Sequence, residues 1–191
     1  MLFRSGLVSI GIKSGSSTKY GYVDETGKYV INPQFDMSYG FAEGLAAFRT
    51  GNEETGKWGF VDKTGKVTIS SQFDFVNDFT NGYSVVATAT KEKGEKVYKY
   101  GAIDKTGKYV INPTFDSMGN FASGLFPVKQ KDKWGYIDVT GKFIVNPQYT
   151  SAQQFSEDLA GVCTGTEKNG NGLSCGFIDP KGVVEIGRAH V

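Results

Sequence analysis

The sequence predicts an all-β protein built from five repeats, each a three-stranded antiparallel meander. Two short phrases recur in phase along its 191 residues, and self-similarity at a period of about 20 to 50 residues is typical of repeat architectures. The chain also contains 26 Gly, 14 Phe and 10 Tyr, as expected for short strands joined by tight turns. A closed, propeller-like ring of the five units is favoured because neither end of the array resembles a polar cap. An open twisted array is the alternative.

The phrase Phe-x-x-Gly-Leu sets the unit boundaries. It begins at Phe3, Phe41, Phe79, Phe121 and Phe155, with Tyr83 in place of Leu in the third copy and Asp158 in place of Gly in the fifth. Residues 1–186 are therefore predicted to form one domain, with units at about 3–40, 41–78, 79–120, 121–154 and 155–186. The tail, residues 187–191, does not continue the repeat, which suits truncation or an expression-vector remnant.

The phrase aromatic-Gly-aromatic-aliphatic-Asp-x-x-Gly marks the second strand of each unit and the turn that follows it. Its first position is held by Tyr20, Trp58, Tyr100, Trp134 and, in the last unit, Cys175. Asp caps backbone amides two residues on, and Gly tolerates positive φ, so the phrase predicts a type I turn with a G1 bulge. The Asp and Gly pairs are Asp24 with Gly27, Asp62 with Gly65, Asp104 with Gly107, Asp138 with Gly141 and Asp179 with Gly182.

The second unit illustrates the predicted elements. Its strands are expected near Leu45–Arg49, Lys57–Asp62 and Lys66–Ile69, with a variable tip between the first two. After the third strand most units carry Asn-Pro, which is predicted to end the strand because proline donates no ladder hydrogen bond. An aromatic residue follows, as at Phe35, and we expect these connector aromatics to fill gaps between neighbouring units.

Composition argues against two partners. Lys plus Arg number 21 and Asp plus Glu number 20, so the chain lacks the basic surface on which nucleic-acid binding depends. No apolar run approaches the length of a membrane span, so membrane insertion is not expected. The opening residues are too short and too polar for a signal peptide, and localisation stays open on these grounds.

The segments Lys57–Asp62 and Lys133–Asp138, with Thr-Gly-Lys and then Asn-Pro-x-Phe, closely resemble the bacterial WG (KWG) repeat family. The resemblance covers essentially the whole chain in five units, two of which carry the literal Trp-Gly. It implies β-rich repeats, often in secreted or envelope-associated proteins, without an assigned catalytic activity. It supplies no catalytic or binding residues.

The recurring Asp and aromatic residues are interpreted as structural. The five turn aspartates could be imagined as a ring of metal ligands or catalytic carboxylates, but each stands where a tight turn needs a capping Asp. The aromatic residues could form a sugar- or peptide-binding face, but large apolar rings also fill space between units, and the Gly beside each lets another backbone or ring approach closely. No cofactor, metal site or catalytic group is predicted, since the sole histidine is His190.

Cys163 and Cys175 are the only cysteines, and both fall in the last unit. They lie on either side of the hairpin loop Thr164 to Ser174, where facing strand positions come within disulfide range. A disulfide would imply an oxidising compartment, and hence a secreted or envelope protein rather than a cytoplasmic one. Two buried free thiols are the alternative.

The sequence therefore indicates a non-enzymatic binding scaffold. Variable loops on a constant frame are where function usually lies, and we expect them to contact an unknown protein partner. The loops are Ser14 to Lys19, Thr50 to Lys57, Thr90 to Lys99, Gln130 to Lys133 and Thr164 to Ser174. A carbohydrate-binding module that uses exposed aromatics such as Tyr39, Tyr98 and Tyr100 is the alternative.

Overall fold

The computed structural model describes residues 6–165 and 172–190. Phe3, the start of the first predicted unit, and the middle of the loop Thr164 to Ser174 lie outside these residues. The described residues form β-strands, turns and bends without a helix, in five antiparallel sheets whose strands are neighbours in chain order. The predicted all-β repeat fold is confirmed. The closing of the units into a ring stays a prediction.

The chain divides into two compact units, Met1–Thr88 with Asp104–Lys108, and Ala89–Ile103 with Tyr109–Val191. The first unit holds two complete sheets. The first sheet consists of β1 (Val8–Ser14), β2 (Ser17–Val23) and β3 (Tyr29–Phe35). The second consists of β4 (Met37–Ala42), β5 (Leu45–Thr50), β6 (Lys57–Asp62) and β7 (Val67–Phe73).

The third sheet contributes residues to both compact units, and the second unit holds the last two sheets. The third consists of β8 (Phe75–Val76), β9 (Tyr83–Glu92), β10 (Glu95–Asp104) and β11 (Tyr109–Phe115). The fourth consists of β12 (Ser117–Met118), β13 (Phe126–Gln130), β14 (Lys133–Ile137) and β15 (Phe143–Tyr149). The fifth consists of β16 (Ser151–Ala152), β17 (Ala160–Thr164), β18 (Ser174–Ile178) and β19 (Val184–His190).

Four sheets contain one strand more than the predicted meander of three. The extra strand is formed by the connector that follows the aromatic residue. Its backbone pairs by hydrogen bonds with the next strand of the chain; for example, Asp36 N donates to Arg49 O at 3.0 Å. Each of these sheets consequently begins four residues before the Phe of its Phe-x-x-Gly phrase. In the last sheet, residues 187–190 of the predicted tail are part of β19.

The prediction that Asn-Pro ends the third strand is wrong. In the first sheet Tyr22 pairs with Ile31 and Tyr20 with Phe35, so two steps on β2 face four steps on β3. The strand therefore passes through Asn32-Pro33 as a bulge and then resumes pairing. A proline is tolerated there because a bulged residue need not donate to the ladder.

Packing between consecutive sheets buries the connector aromatics. In the first compact unit the Phe35 ring lies 4.4 Å, centroid to centroid, from the Phe48 ring of the second sheet. Both rings belong to a cluster that also contains Tyr22 and Val61. In the second compact unit Tyr149 packs in a cluster with Val162 of the fifth sheet. The expectation that these aromatics fill gaps between neighbouring repeats is confirmed for both rings.

Candidate binding surface at the hairpin tips

The tips are the turns that join the first and second long strands of each sheet. The strands run closer to the ends of the hairpins than the sequence indicated. Between β9 and β10 the tip shortens to Lys93-Gly94, with φ of 52° and 88°. Two residues at positive φ match the type I′ turn that the twist of a hairpin favours, so most of Thr90 to Lys99 is strand.

Two tips are longer or differently built. The tip after β5 covers 51–56, where the Asn52 side chain accepts hydrogen bonds from the Glu54 amide at 3.0 Å and the Thr55 amide at 2.9 Å. The tip after β13 is Lys131-Asp132, with Lys131 at φ 56°. The tips after β1, β9 and β13 each have two residues and differ in sequence, and the tip after β5 is longer, although the strands that carry them repeat.

A recurring carboxylate fixes the base of two tips. Asp36, directly after the connector aromatic, accepts from Lys19 Nζ at 2.6 Å and from the Gly51 amide at 2.9 Å. It therefore connects the second strand of one sheet to the tip of the next. We call this arrangement of one Asp, the Lys before the aromatic-Gly pair and a tip amide the Asp bracket.

The Asp bracket is repeated in the second compact unit. Asp116 accepts from Lys99 Nζ at 2.6 Å and from the Lys131 amide at 2.7 Å. Hydrogen bonds from these donors hold the pKa values of both Asp36 and Asp116 below the ordinary value, with the lysine bond the largest cause. Both brackets are therefore charged at neutral pH.

The lysine contact of the bracket recurs at a third connector, and the last connector has no Asp at this position. Asp74 keeps the lysine partner, Lys57 Nζ at 2.7 Å, and its side chain is only 8% exposed. At the last connector Thr150 replaces the Asp and bonds instead to Cys163 O through its amide and hydroxyl, at 2.8 and 3.1 Å. No role was assigned from the sequence to the Asp that follows the connector aromatic. A Lys precedes the aromatic-Gly pair in the first four units, but this pattern alone does not identify the Asp as its partner.

The turn aspartates lie at the opposite end of the hairpins from the tips. Asp62 Oδ1 accepts from the Thr64 amide and hydroxyl at 2.9 and 2.6 Å and from the Lys66 amide at 3.0 Å. The Thr64 hydroxyl is the largest cause of the lowered pKa of Asp62. The same bonds recur at Asp24, Asp104 and Asp138, and the two amide bonds recur at Asp179.

Two of the five glycines that close these turns have a second reason to be glycine besides positive φ, and the sequence indicated only the φ. All five have φ between 82° and 89°: Gly27, Gly65, Gly107, Gly141 and Gly182. A Cβ on Gly107 would also lie 3.1 Å from Ile69 of the preceding sheet, and one on Gly182 would lie 2.8 Å from Val145. The explanation by positive φ alone is therefore incomplete. At Gly141 the neighbouring Ile111 is 3.6 Å away, an ordinary contact, so there the φ decides.

The aromatic residues before Gly occupy different surroundings. Trp58 is 8% exposed, with Tyr39 stacked on one side at 4.8 Å and the Arg49 guanidinium 5.7 Å from its ring. Trp134 packs against the core cluster of the second compact unit, which contains Tyr149 and Val162. Tyr20 is half-buried, and its ring lies where a side chain at Gly11 would be. Trp58 is therefore mostly covered by its own sheet.

Three tyrosines were candidates for sugar stacking. Tyr39 lies in the first compact unit and is 40% exposed. Tyr98 and Tyr100 lie two residues apart on β10, so they share one face of that strand. Tyr98 is 39% exposed, with Lys96 Nζ 5.2 Å from its ring, and Tyr100 is half-buried.

The fifth sheet carries a disulfide between Cys163 and Cys175. These residues are a cross-strand pair of β17 and β18, in the place that Arg49 and Trp58 occupy in the second sheet. A cavity of about 210 Å³ lies beside the bond. Its lining includes Gln148, Tyr149, Val162, Thr164, Ser174 and Phe177.

Within 6–165 and 172–190, no group of three or more His, Cys, Asp or Glu side chains is arranged to hold a metal ion. In the same residues, no helix has the length and apolar character to cross a membrane. Buried Tyr22 and Tyr136 have raised pKa values because of their burial. Their hydroxyls donate to backbone carbonyls, Tyr39 O at 2.8 Å and Gln153 O at 2.7 Å.

These features define a class of all-β repeat proteins in which constant sheets carry variable hairpin tips. The chain belongs to the WG containing repeat family, whose model matches residues 20–53, 58–88, 100–134 and 134–165. The family model thus matches four units, and the fifth sheet extends beyond them. No curated protein matches the chain.

Solved structures share the fold at low sequence identity. A crystal structure of the eukaryotic initiation factor matches with a TM-score of 0.61 at 12% identity, over 97% of this chain and 51% of that one. The likeness is to a β-propeller-like fold, and the chain spans about half the length of that structure. A crystal structure of the tricorn protease covers 100% of this chain and 22% of its own, at 12% identity, but its TM-score of 0.33 carries no argument.

Proposed function

We propose that this protein is a non-catalytic scaffold that binds a protein partner through its hairpin tips. The observation that carries the proposal is the Asp bracket. In two repeats it fixes the base of the tip while the tip itself differs in sequence and length. A constant frame with variable exposed loops is the usual arrangement of a binding surface.

The charges of the tips favour a polypeptide partner. The tip after β5 carries exposed Glu53 and Glu54, whereas the tip after β13 is Lys131-Asp132 followed by Lys133 and has a net positive charge. Each compact unit therefore presents a charged tip, and charged tips suit a polypeptide partner because electrostatic complementarity gives specificity and speeds encounter. A nucleic acid would be repelled by the acidic tip.

The turn aspartates fit a structural role better than a catalytic one. Acid–base catalysis needs carboxyl groups whose surroundings drive their pKa values apart. Asp24, Asp62, Asp104 and Asp138 instead share one set of local bonds and one direction of pKa shift. We therefore assign these aspartates, the glycines that close the turns and the aromatic-Gly positions to the frame.

The proposal is tested by affinity capture with the whole chain from an extract of bacterial envelope and secreted proteins. We expect a discrete polypeptide to be retained in the presence of soluble glycans. The charge reversals Glu53→Lys and Glu54→Lys should abolish its retention. Glu25→Lys is the matched control, because Glu25 is also exposed but lies in the tight turn Asp24–Gly27.

Equal loss of capture with Glu25→Lys would contradict a tip-specific surface. Equal retention by all three variants would exclude the β5–β6 tip, and Lys131→Glu with Lys133→Glu would then test the tip of the fourth sheet. Retention unaffected by any of these substitutions would overturn the proposal.

Carbohydrate binding is the second candidate, supported by the exposed ring of Tyr39. One face of this ring covers Trp58, so a sugar stacked on Tyr39 would change the surroundings of the indole. We expect a glycan ligand to alter tryptophan fluorescence and Tyr39→Ala to remove the response. Tyr29→Ala is the control, since Tyr29 is 41% exposed and Tyr39 is 40% exposed. An unchanged fluorescence with every glycan class would contradict this candidate.

The disulfide supports a secreted or envelope location. Disulfides persist in oxidising compartments and are rare in the reducing cytosol. We expect Cys163 and Cys175 to be oxidised in protein isolated from its native source under thiol-blocking conditions. Labelling of both thiols without prior reduction would contradict this location.

A further inference from the structure

The third sheet carries a longer hairpin than the other sheets. Its strands β9 and β10 have ten residues each, whereas the paired hairpin strands of the other sheets have five to seven. Trp58 and Trp134 are the second residues of their strands, but Tyr100 is the sixth residue of β10. At about 3.3 Å per residue, the hairpin is therefore extended by roughly 13 Å. We call residues 89–99, which all belong to the second compact unit, the β-arm.

One face of the β-arm combines lysine and tyrosine side chains. The two-residue turn Lys93-Gly94 places Lys91 on β9 opposite Lys96 on β10, because the residues that flank such a turn pair with each other. The side chains of an opposite pair lie on one face, and Tyr98 shares this face because it is two residues from Lys96. Both lysines are exposed and Tyr98 is 39% exposed. Lys96 Nζ lies 5.2 Å from the centre of the Tyr98 ring.

The pairing of Lys91 with Lys96 is unfavourable within the chain itself. Like charges directly opposite each other on a sheet destabilise it, and a local conflict of this kind in a natural sequence indicates a functional position. An anionic group bound between the two ammonium groups would relieve the repulsion. The lysine face of the β-arm therefore favours a negatively charged ligand.

The acidic residues of the β-arm lie on its other face. Glu92 and Glu95 flank the turn and form the next opposite pair. On that face the pKa of Lys99 is raised, chiefly by its hydrogen bond to Asp116 and further by the charge of Glu92. The chain thus supplies a cation to the acidic face, and the two faces of the β-arm differ in sign.

Positive charge is concentrated around the β-arm. Its base lies beside the tip of the fourth sheet, because Asp116 accepts from Lys99 Nζ at 2.6 Å and from the Lys131 amide at 2.7 Å. Together the β-arm, Asp116 and residues 129–133 contain seven lysines and four carboxylates. The net charge of the whole chain is only +1, so this end of the second compact unit is its basic part. Charge complementarity favours an acidic partner there.

We infer that the β-arm binds an acidic segment of a partner polypeptide, with a carboxylate between Lys91 and Lys96 and an apolar contact on Tyr98. The inference rests on the proposed binding of a protein by the tips and names the chemistry of the bound segment. A polypeptide is favoured over an acidic glycan because the Lys96 ammonium lies over the Tyr98 ring, where a stacked sugar would have to lie. Tyrosine is also enriched among the residues that dominate the affinity of protein interfaces.

Fluorescence anisotropy with the whole chain and a labelled peptide tests the inference. The peptide alternates Glu and Val over ten residues, so that its five carboxylates lie on one face of an extended strand. We expect saturable binding that Lys91→Glu/Lys96→Glu weakens at least about tenfold and Tyr98→Ala at least about fivefold. Lys63→Glu/Lys66→Glu is the matched control, because both lysines are exposed but lie at the tight turn of the second sheet.

A second peptide, with Lys in place of Glu, separates a lost contact from a misfolded β-arm. The Lys91→Glu/Lys96→Glu variant should bind this peptide more tightly than the natural protein does. An oligogalacturonate with five carboxylates and a deoxythymidine strand with five phosphates test the class of ligand. Tighter binding of either one than of the Glu peptide would overturn the inference, as would equal weakening by Lys63→Glu/Lys66→Glu or unchanged binding by Lys91→Glu/Lys96→Glu.

The same variants distinguish this inference from the proposed function. A polypeptide that is captured equally by the natural protein and by Lys91→Glu/Lys96→Glu would overturn the inference and leave the proposed function standing. Loss of capture in this variant, with capture by Lys63→Glu/Lys66→Glu preserved, would support both. Capture of no polypeptide by the natural protein would contradict both.

Discussion

At the residue scale, Gly59 shows why glycine follows the aromatic residue in four repeats of this chain. A Cβ on Gly59 would lie 2.5 Å from Ile69 O and 2.7 Å from Ser71 N of the bulge in β7. Gly21, Gly101 and Gly135 meet the same carbonyl and the same bulge in their sheets. The glycine is therefore required by the bulge of the neighbouring strand and not by its own φ.

Gly59→Ala should consequently destabilise the protein strongly. The added methyl group meets backbone atoms, which cannot rotate away, and the strain should cost about 3 kcal/mol. Urea unfolding measures this loss. Gly40→Ala is the control, because a Cβ on Gly40 meets nothing within 4 Å. Its effect should stay within about 0.5 kcal/mol, and similar losses at the two sites would contradict the explanation.

The turn carboxylates predict a dependence of stability on pH. The pKa of Asp62 is lowered in the folded chain, chiefly by the Thr64 hydroxyl. A carboxyl group with a lowered folded pKa stabilises the fold above its unfolded pKa of about 3.9, and this stabilisation is lost as pH falls through the folded pKa. The urea concentration at the midpoint of unfolding should therefore decrease as the pH is lowered from about 5 to about 2.

Thr64→Val should raise the pKa of Asp62 toward the ordinary value and reduce this pH dependence. Titration of the Asp62 carboxyl group by NMR measures the first effect, and urea midpoints at both pH values measure the second. Thr114→Val is the control, because the Thr114 hydroxyl donates to Asn112 O and not to a carboxylate. A Thr64→Val profile that coincides with that of the natural protein would contradict the assignment.

At the scale of the element, Asp116 should hold the tip of the fourth sheet in place. Asp116→Asn removes the charge that binds Lys99 and weakens acceptance from the Lys131 amide. A bond of this kind contributes about 1 kcal/mol, so the Lys131 amide should exchange its hydrogen roughly fivefold faster. Asp132→Asn, within the same tip, should leave that rate unchanged. An unchanged rate in Asp116→Asn would show that the tip is held by its strands alone.

The disulfide should stabilise the fifth sheet. It links residues separated by 12 positions, and a loop of that length corresponds to about 2–3 kcal/mol. The double variant Cys163→Ala/Cys175→Ala should therefore lose protection from hydrogen exchange in β17 and β18. Reductant should reproduce the loss in the natural chain and have no effect on the double variant. Full protection after reduction would contradict a stabilising role.

At the scale of the whole molecule, the features that could be predicted from the sequence were those that depend on residues close together in the chain. The repeat period and the pairing of Asp62 with Gly65 could be recognised because both depend on residues close in the chain. The strand through Asn32-Pro33 could not, because the bulge becomes acceptable only when Gly21 leaves space on the neighbouring strand. Proline therefore does not end the strand here, because Gly21 on the neighbouring strand makes room for the bulge.

The candidate binding surface was predicted only in outline. The five tips were recognisable from their variable sequences, but their lengths depended on turns at positive φ such as Lys93-Gly94. The Asp bracket could not be derived from neighbours alone, because Asp36 joins Lys19, 17 residues earlier, to Gly51, 15 residues later. Contacts at that separation become visible only when consecutive sheets are placed side by side.

The Asp bracket has a consequence for engineering. Asp36 holds the Gly51 amide where the tip begins, and Thr50 pairs with Lys57 across its base, so both ends of the β5–β6 tip are held by the frame. Lengthening a loop whose ends are already held costs only about 0.6 kcal/mol for each doubling. The segment 52–55 is therefore a graft site, where a foreign peptide can be displayed on a frame whose own folding does not depend on the peptide.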